Sequence, residues 1–221
     1  MALIVGCGLQ AIQQLSGINT SSPPQFSTDH RTDDINALLN VIASADEFIY
    51  IAVMDYEPAI VYSYPKKYWP VIDDALRTAA YEKGIEVRLL GSHWEHSPCD
   101  MRSFLESLGS WNVTGPKNGS IKTKYFVVPP LNDTQIPYTR VNHNKYMVTD
   151  KAAYVGTSNW SGDYFISTGG VSCIVKKPNI TDPDSLSIPE ELKLVFERDW
   201  DSRYTFDINT VEQPPYCHDN K

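Results

Sequence analysis

A chain of 221 residues with 42% apolar and 21% charged content has the make-up of a globular domain of generous size, able to bury a real core. Its net charge of −8 argues against broad electrostatic adhesion to nucleic acid or anionic membrane, and leaves room only for a local basic site that grips a few phosphates. Four scattered cysteines with no C-x-x-C pair exclude a zinc knuckle.

The first 32 residues read as an atypical leader and a linker. Ala2 to Leu9 is apolar but lacks a basic flank and a cleavage site, and it is too short to span a bilayer. Residues 8–19 resemble a membrane-helix motif of major-facilitator sugar transporters, a likeness that nothing else in the chain shares. Residues 20–32 are rich in Ser, Thr and Pro. A single domain is expected over residues 33–221. Asp33 or Asp34 caps a helix with Ile35, Leu38, Leu39, Ile42 and Ala45 on one face. Glu47 to Met54 is an apolar strand covered on both faces. Trp69 to Lys83 reads as a helix stopped by Gly84, followed by a strand over Ile85 to Leu90. A short helix over Met101 to Leu108 and a strand over Lys122 to Val128 come next. Strands at Lys145 to Thr149, Ala153 to Val155 and Gly169 to Val175 precede a closing amphipathic helix, Glu190 to Trp200. Strands alternating with helices predict an α/β/α sandwich around a mixed, largely buried sheet.

The chemistry sits in Val141-Asn142-His143-Asn144-Lys145 through Asp150, the pattern H-x-K-(x)4-D, followed by Gly156-Thr157-Ser158-Asn159. Residues i and i+2 of a strand share one side, roughly 7 Å apart, so His143 and Lys145 converge on one spot. A lysine beside a histidine repels a metal cation but suits a phosphate: the ammonium holds anionic oxygens while the imidazole attacks phosphorus or delivers a proton. The Gly156–Asn159 turn adds donors.

A lone H-x-K is a weak signal; with the aspartate and the G-[ST]-x-N turn it is the HKD signature of the phospholipase D superfamily, which this sequence resembles. The likeness extends over residues 43–56, 68–74, 136–138, 140–149, 156–162 and 198–202, and is to the C-terminal half of the animal phospholipases D three and four. It implies a phospholipase-D-type fold and a metal-independent phosphodiesterase, without cofactor, working through a phosphohistidine. The implied substrate is single-stranded nucleic acid, cleaved as an exonuclease. Phospholipid hydrolysis or transphosphatidylation is the alternative, and an inactive half-domain that binds phosphate or a partner chain is another. It makes His143 the nucleophile or the general acid, Lys145 and Asn159 the phosphate ligands, Ser158 a shaper of the turn, and Asp150 an orienter of loop and strand within the catalytic motif. Two departures matter. The carboxylate expected eleven residues after the turn asparagine is Gly170, with Asp163 a conceivable substitute. Only one HKD motif is present, so a homodimer or a missing N-terminal HKD half must supply the second.

Six N-x-[ST] sequons, at Asn19, Asn112, Asn118, Asn132, Asn159 and Asn179, exceed the roughly two that chance gives among a dozen asparagines. They favour passage through the secretory lumen, to the lysosome or endoplasmic reticulum, with glycans on Asn112, Asn118, Asn132 and Asn179 and none on Asn159. No transmembrane helix is expected. Cys173 reads as a buried small hydrophobe; pairing of Cys99 with Cys217 stays open. His93-Trp94-Glu95-His96 reads as a strand-end loop bordering the cleft rather than a metal site. Trp160 and Tyr164 either stack on a base or pack in the core. Tyr62, Tyr64, Tyr68 and Trp69 read as a buried aromatic cluster, with a substrate rim as the alternative.

Overall fold

The helix expected after Asp33 forms over Asp34–Ser44 (α1) and buries Ala37, Leu38, Val41 and Ile42 at the i, i+1, i+4, i+5 positions of one face. Its start is not the expected cap. Asp33 stands at the cap position without a capping bond, and Asp34 turns inward, where it accepts from Tyr154 O–H (2.9 Å) and Ser172 Oγ–H (2.5 Å). Burial pushes the Asp34 carboxyl up and those two hydroxyls pull it back. The computed structural model describes residues 15–21, 23, 32–110, 117–129, 136–178 and 186–217.

The elements that follow α1 come mostly where the pattern put them. Strand β2 (Phe48–Val53) leads through a short hairpin, β3 (Ala59–Ile60) and β4 (Lys67–Tyr68), into helix α2 (Val71–Thr78). That helix widens into a π-helical turn, Ala79–Lys83, and stops at Gly84, whose φ of 74° is the left-handed conformation glycine adopts without a Cβ clash. Next come β5 (Glu86–His93), α3 (Met101–Gly109) and β6 (Ser120–Val127), then the hairpin β7 (Lys145–Thr149) and β8 (Ala152–Gly156). Helix α4 (Gly162–Ile166), β9 (Gly170–Lys176), α5 (Ile188–Trp200) and β10 (Thr205–Asp207) complete the chain, with β1 (Leu15–Ser21) lying before α1.

One eight-stranded sheet carries all but the β3–β4 pair, in the order β1-β9-β8-β7-β2-β5-β6-β10. Strands β2, β5 and β6 are parallel, linked by α2 and α3; every other pairing is antiparallel. The central strands are apolar on both faces, as a sheet covered twice requires. Ile49, Ile51, Val53, Val87 and Leu89 pack with α1, α2 and α3 on one side, whereas Tyr50, Ala52, Leu90, Tyr146 and Val148 pack with Leu192, Phe196 and Trp200 of α5 on the other. That is the α/β/α sandwich.

Four elements escaped the sequence pattern. β1 falls inside the stretch read as leader and linker; its residues, Leu-Ser-Gly-Ile-Asn-Thr-Ser, do not alternate, and pairing with the edge of β9 makes it a strand. The β3–β4 pair, α4 and β10 are each five residues or fewer, too short to show a period. α5 begins two residues earlier than expected because Ser187 and Glu190 form a capping box. Cys99 and Cys217 form a disulfide, fastening the C-terminal turn at Pro215–Cys217 beside the start of α3. Cys173 is half-buried, since it lies near the sheet's edge on β9.

Candidate active site

Register puts one edge of the sheet in command. Val53 at the end of β2 pairs with Lys145 at the start of β7 and with Gly91 of β5. His93 pairs with Val127 at the end of β6, and Gly156 at the end of β8 pairs with Ser172 of β9. The loop residues at this end of the strands therefore include 54–58, 94–98, 128–129, 136–144 and 157–161, at the carboxyl ends of the parallel strands, where α/β folds place ligands.

Lys145 is the first residue of β7 and is buried. Its ammonium reaches the backbone carbonyl of His143 at 3.4 Å and Met54 Sδ at 3.9 Å. Burial lowers its pKa to about 8, opposed by the charge of Asp55. His143 precedes the strand instead of lying on it, and its side chain is exposed. Partial burial, then the neighbouring Lys145 charge, hold the imidazole below its usual range. The pair thus offers a cation beside an imidazole whose neutral form is favoured.

The turn after β8 is zipped onto the segment after β2. Trp160 N–H donates to the Asp55 carbonyl at 2.9 Å and Glu57 N–H donates to the Trp160 carbonyl at 3.0 Å. Between these bonds Asn159, buried, donates from Nδ2 to Asp55 Oδ2 at 2.6 Å and to Tyr164 Oη at 3.4 Å. Ser158 is buried in the same turn. Thr157 binds Val171 by backbone and side chain, anchoring the turn to β9. Gly162 starts α4 where a Cβ would strike Ile60 Cγ1 and the Trp69 ring, each at 2.9 Å.

The structure thus brings Lys145 and Asn159 together around Asp55, a residue the sequence reading passed over, with His143 two residues from the lysine. Asp55 is half-buried and Glu57, two positions on, is buried; burial pushes Glu57 up to about 7, with Lys66 opposing and Asp55 reinforcing. A carboxylate pair just beyond an apolar strand was the signal available.

Asp150 is not brought in. It follows the last residue of β7, at the far edge of the sheet, where Oδ1 accepts from the N–H groups of Asp46 (2.9 Å) and Glu47 (3.2 Å) and Oδ2 meets Lys151 Nζ at 3.0 Å. There its carboxylate holds the segment before β2. Asp163 does not replace the carboxylate absent at Gly170: its two oxygens take the N–H groups of Val61 (2.6 Å) and Tyr62 (3.2 Å). Trp160 is core, 1% exposed, whereas Tyr164 reaches the site through its hydroxyl. Tyr62, Tyr64 and Tyr68 are exposed at 78%, 102% and 69%, contrary to the buried cluster expected, because the β3–β4 hairpin carries them outward; only Trp69 packs, stacked on Phe165. His93 ends β5 buried against Tyr125, and His96 stacks on Tyr138, so the two histidines serve different neighbours. Of the sequon asparagines, Asn118 is exposed and Asn159 buried; Asn112, Asn132 and Asn179 lie outside the described residues.

A family model described as "PLD3/4, PLD-like domain" matches residues 10–130, more than half of the chain. The chain belongs to the PLD3/4-type, PLD-like family. It is 48% identical over 193 residues to the 5'-3' exonuclease PLD3 of Xenopus laevis, covering 87% of this chain and 39% of that protein. Against Homo sapiens the figures are 48% over 191 residues for the 5'-3' exonuclease PLD3, with 86% and 38% covered. For the 5'-3' exonuclease PLD4 of Homo sapiens they are 47% over 191 residues, with 86% and 37% covered. The chain therefore spans about two fifths of the length of the curated relatives it matches. Among solved structures it is similar in fold to NucT from Helicobacter pylori, at a TM-score of 0.57 and 17% identity over 86% of this chain and 98% of that one. It is similar also to Nuc from Salmonella typhimurium, a phospholipase D family member, at 0.54 and 12% over the same shares. Lys145, Asn159 and His143 lie beyond the family model's matched span but inside this PLD-type fold.

Proposed function

We propose that this PLD3/4-type chain supplies one catalytic half of a metal-independent phosphodiesterase that cleaves single-stranded nucleic acid from its end. The observation carrying the reading is the exposed His143 beside the buried Lys145, at the same sheet edge as the Asn159 turn. Lys145 holds the two non-bridging oxygens of the phosphodiester, and Asn159 contributes a donor to one of them. In one role His143 attacks phosphorus: an N–P bond forms, the P–O bond to the leaving group breaks, and that oxygen takes a proton from an acid on the opposite side. Water then cleaves the phosphohistidine. In the other role His143 is that acid, and the attacking imidazole belongs to a second half. The names of the curated relatives, 5'-3' exonucleases, support nucleic acid over lipid. A secretory-lumen residence, in lysosome or endoplasmic reticulum, is supported by the Cys99–Cys217 disulfide and the exposed Asn118 sequon. No helix among the described residues is long and apolar enough to cross a membrane.

The test is release of nucleotides from fluorogenic single-stranded DNA by protein made in a eukaryotic secretory host, at about pH 5 and 7, beside hydrolysis of phosphatidylcholine vesicles. Wild type is expected to degrade DNA, in the presence of chelator as in its absence, and His143→Ala to lose at least about a hundredfold in turnover. Retention of more than a tenth of the activity by His143→Ala removes the proposed chemistry. Hydrolysis of vesicles alone replaces the substrate.

A further inference from the structure

Asn159 presents the wrong atom to an anion. Its Nδ2, the only group of the amide able to donate to a phosphate oxygen, is taken by Asp55 Oδ2 at 2.6 Å and by Tyr164 Oη. The atom left over is Oδ1, buried and without a hydrogen-bond partner. An amide oxygen offers an anion no hydrogen, and the half-buried Asp55 carboxylate close by repels it. An ionised Asp55 fixes this orientation, because a carboxylate only accepts. A protonated Asp55 has an O–H to donate to Asn159 Oδ1, and the Tyr164 hydroxyl serves as donor or acceptor equally well. The amide is then able to turn over, meeting Asp55 with its oxygen and offering its N–H pair to the ligand.

We propose that Asp55 is a positioning residue that sets which way the Asn159 amide faces, so that its protonation turns a donor toward the bound phosphodiester. The proposal rests on the reading of Lys145 and Asn159 as phosphate ligands. The groups facing Asp55 fit it. Lys145 of β7 is its counter-charge, Tyr164 of α4 shares its amide, Glu57 follows it on the same segment, and Tyr216 of the C-terminal turn feels the charge of both carboxylates. Tyr216 donates its hydroxyl hydrogen to the Ser97 carbonyl, and Lys66 and Asp100 act on Glu57 from outside. Burial pushes the Asp55 carboxyl up to about 6, with Lys145 pulling it back. The sign follows. Above about 6 Asp55 is ionised and holds Asn159 Nδ2 to itself; as pH falls through that value the proton arrives, the amide is released to turn, and ligand affinity rises.

The test uses the full chain with His143→Ala, which removes both turnover and the imidazole's own titration. The probe is thymidylyl-thymidine, a phosphodiester whose charge is constant between about pH 5 and 7.5. Calorimetry is expected to show its binding tightening about tenfold from the higher pH to the lower, one charge-assisted hydrogen bond's worth. Asp55→Asn, neutral at every pH, is expected to bind at the higher pH within about twofold of its affinity at the lower. Glu57→Gln should keep both the pH dependence and its midpoint, because Glu57, pushed up to about 7, is already largely protonated where Asp55 titrates. Retention of the tenfold change by Asp55→Asn, or its loss in Glu57→Gln instead, overturns the inference. A readout independent of substitution at Asp55 is the nitrogen-15 signal of the Asn159 side-chain amide. It is expected to shift with a midpoint near 6 in the unliganded chain, and a signal that stays still across the range also overturns the inference. Lys145→Met separates the two readings. If it weakens the probe at least about tenfold while Asp55→Asn stays pH-dependent, only the Asp55 inference fails. If the probe fails to bind, or binds equally well to Lys145→Met, the phosphate site itself fails and takes the inference with it.

Discussion

Lys145 shows how burial alters a residue whose sequence context is ordinary. Beside Met54 Sδ and the His143 carbonyl its ammonium has few solvating partners, and its pKa falls to about 8 despite Asp55. The charge proposed to grip phosphate is therefore present below about 8 and lost as pH rises through it. Affinity for a labelled oligothymidylate, followed by fluorescence anisotropy from about pH 6 to 9, is expected to drop across that value in wild type. Lys145→Arg should bind without that drop, since a guanidinium keeps its proton throughout, though its larger fork lowers affinity overall. A wild-type curve flat through pH 8 would show that Lys145 does not supply the charge. At this scale the site was half legible. His143, Lys145 and Asn159 sit in a spacing that a sequence displays. Asp55 lies 104 residues from its partner Asn159, and no local pattern links them. Asp163 shows the opposite failure: a carboxylate near the right place in sequence, spent on the backbone of Val61 and Tyr62.

Among the elements, β7 explains why one signature contains residues that never meet. Lys145 opens the strand and Asp150 follows its end, about 17 Å away at strand rise. Asp150 pins the N–H groups of Asp46 and Glu47 just before β2, fixing the register of two central antiparallel strands. Its carboxyl is held below the usual carboxylate range despite burial, by the backbone bond from Asp46 and then by Lys151. Asp150→Ala is expected to cost about 2 kcal/mol of unfolding free energy, because it leaves two backbone donors without their acceptor. Turnover on single-stranded DNA should stay within about threefold of wild type. Urea unfolding and the DNA assay check the two halves of that expectation, and a hundredfold loss of turnover at unchanged stability would make Asp150 catalytic after all. The central strands and long helices were legible because each carries its own apolar period. The edge strands β1 and β10 were not, because neighbouring strands, rather than their own residues, make them strands.

For the whole molecule, the telling fact is that one H-x-K motif stands in a chain that spans about two fifths of the length of the curated relatives it matches. In-line displacement at phosphorus needs an attacking group and a proton donor on opposite sides, and in the proposed chemistry His143 fills one of these roles. In a symmetric dimer the twofold axis brings the same residue from each copy to a shared centre, so each composite site contains two copies of His143. This gives a quantitative test that needs no structure of the assembly. Wild type and His143→Ala chains are mixed at fixed total concentration, unfolded and refolded together so that copies pair at random, and assayed on single-stranded DNA. If both histidines are required, activity follows the square of the wild-type fraction, and an equal mixture retains about a quarter of the full rate. If either copy suffices at a shared centre, only the doubly substituted pairs are silent and the equal mixture keeps about three quarters; if each chain works without the other copy, or a different chain supplies the second half, activity follows the fraction linearly and the mixture keeps about half. Light scattering on the same samples fixes the native mass. A squared law in a protein of dimeric mass establishes the shared centre. A linear law in a monomer of full activity refutes it, and leaves His143 working with an acid from its own chain.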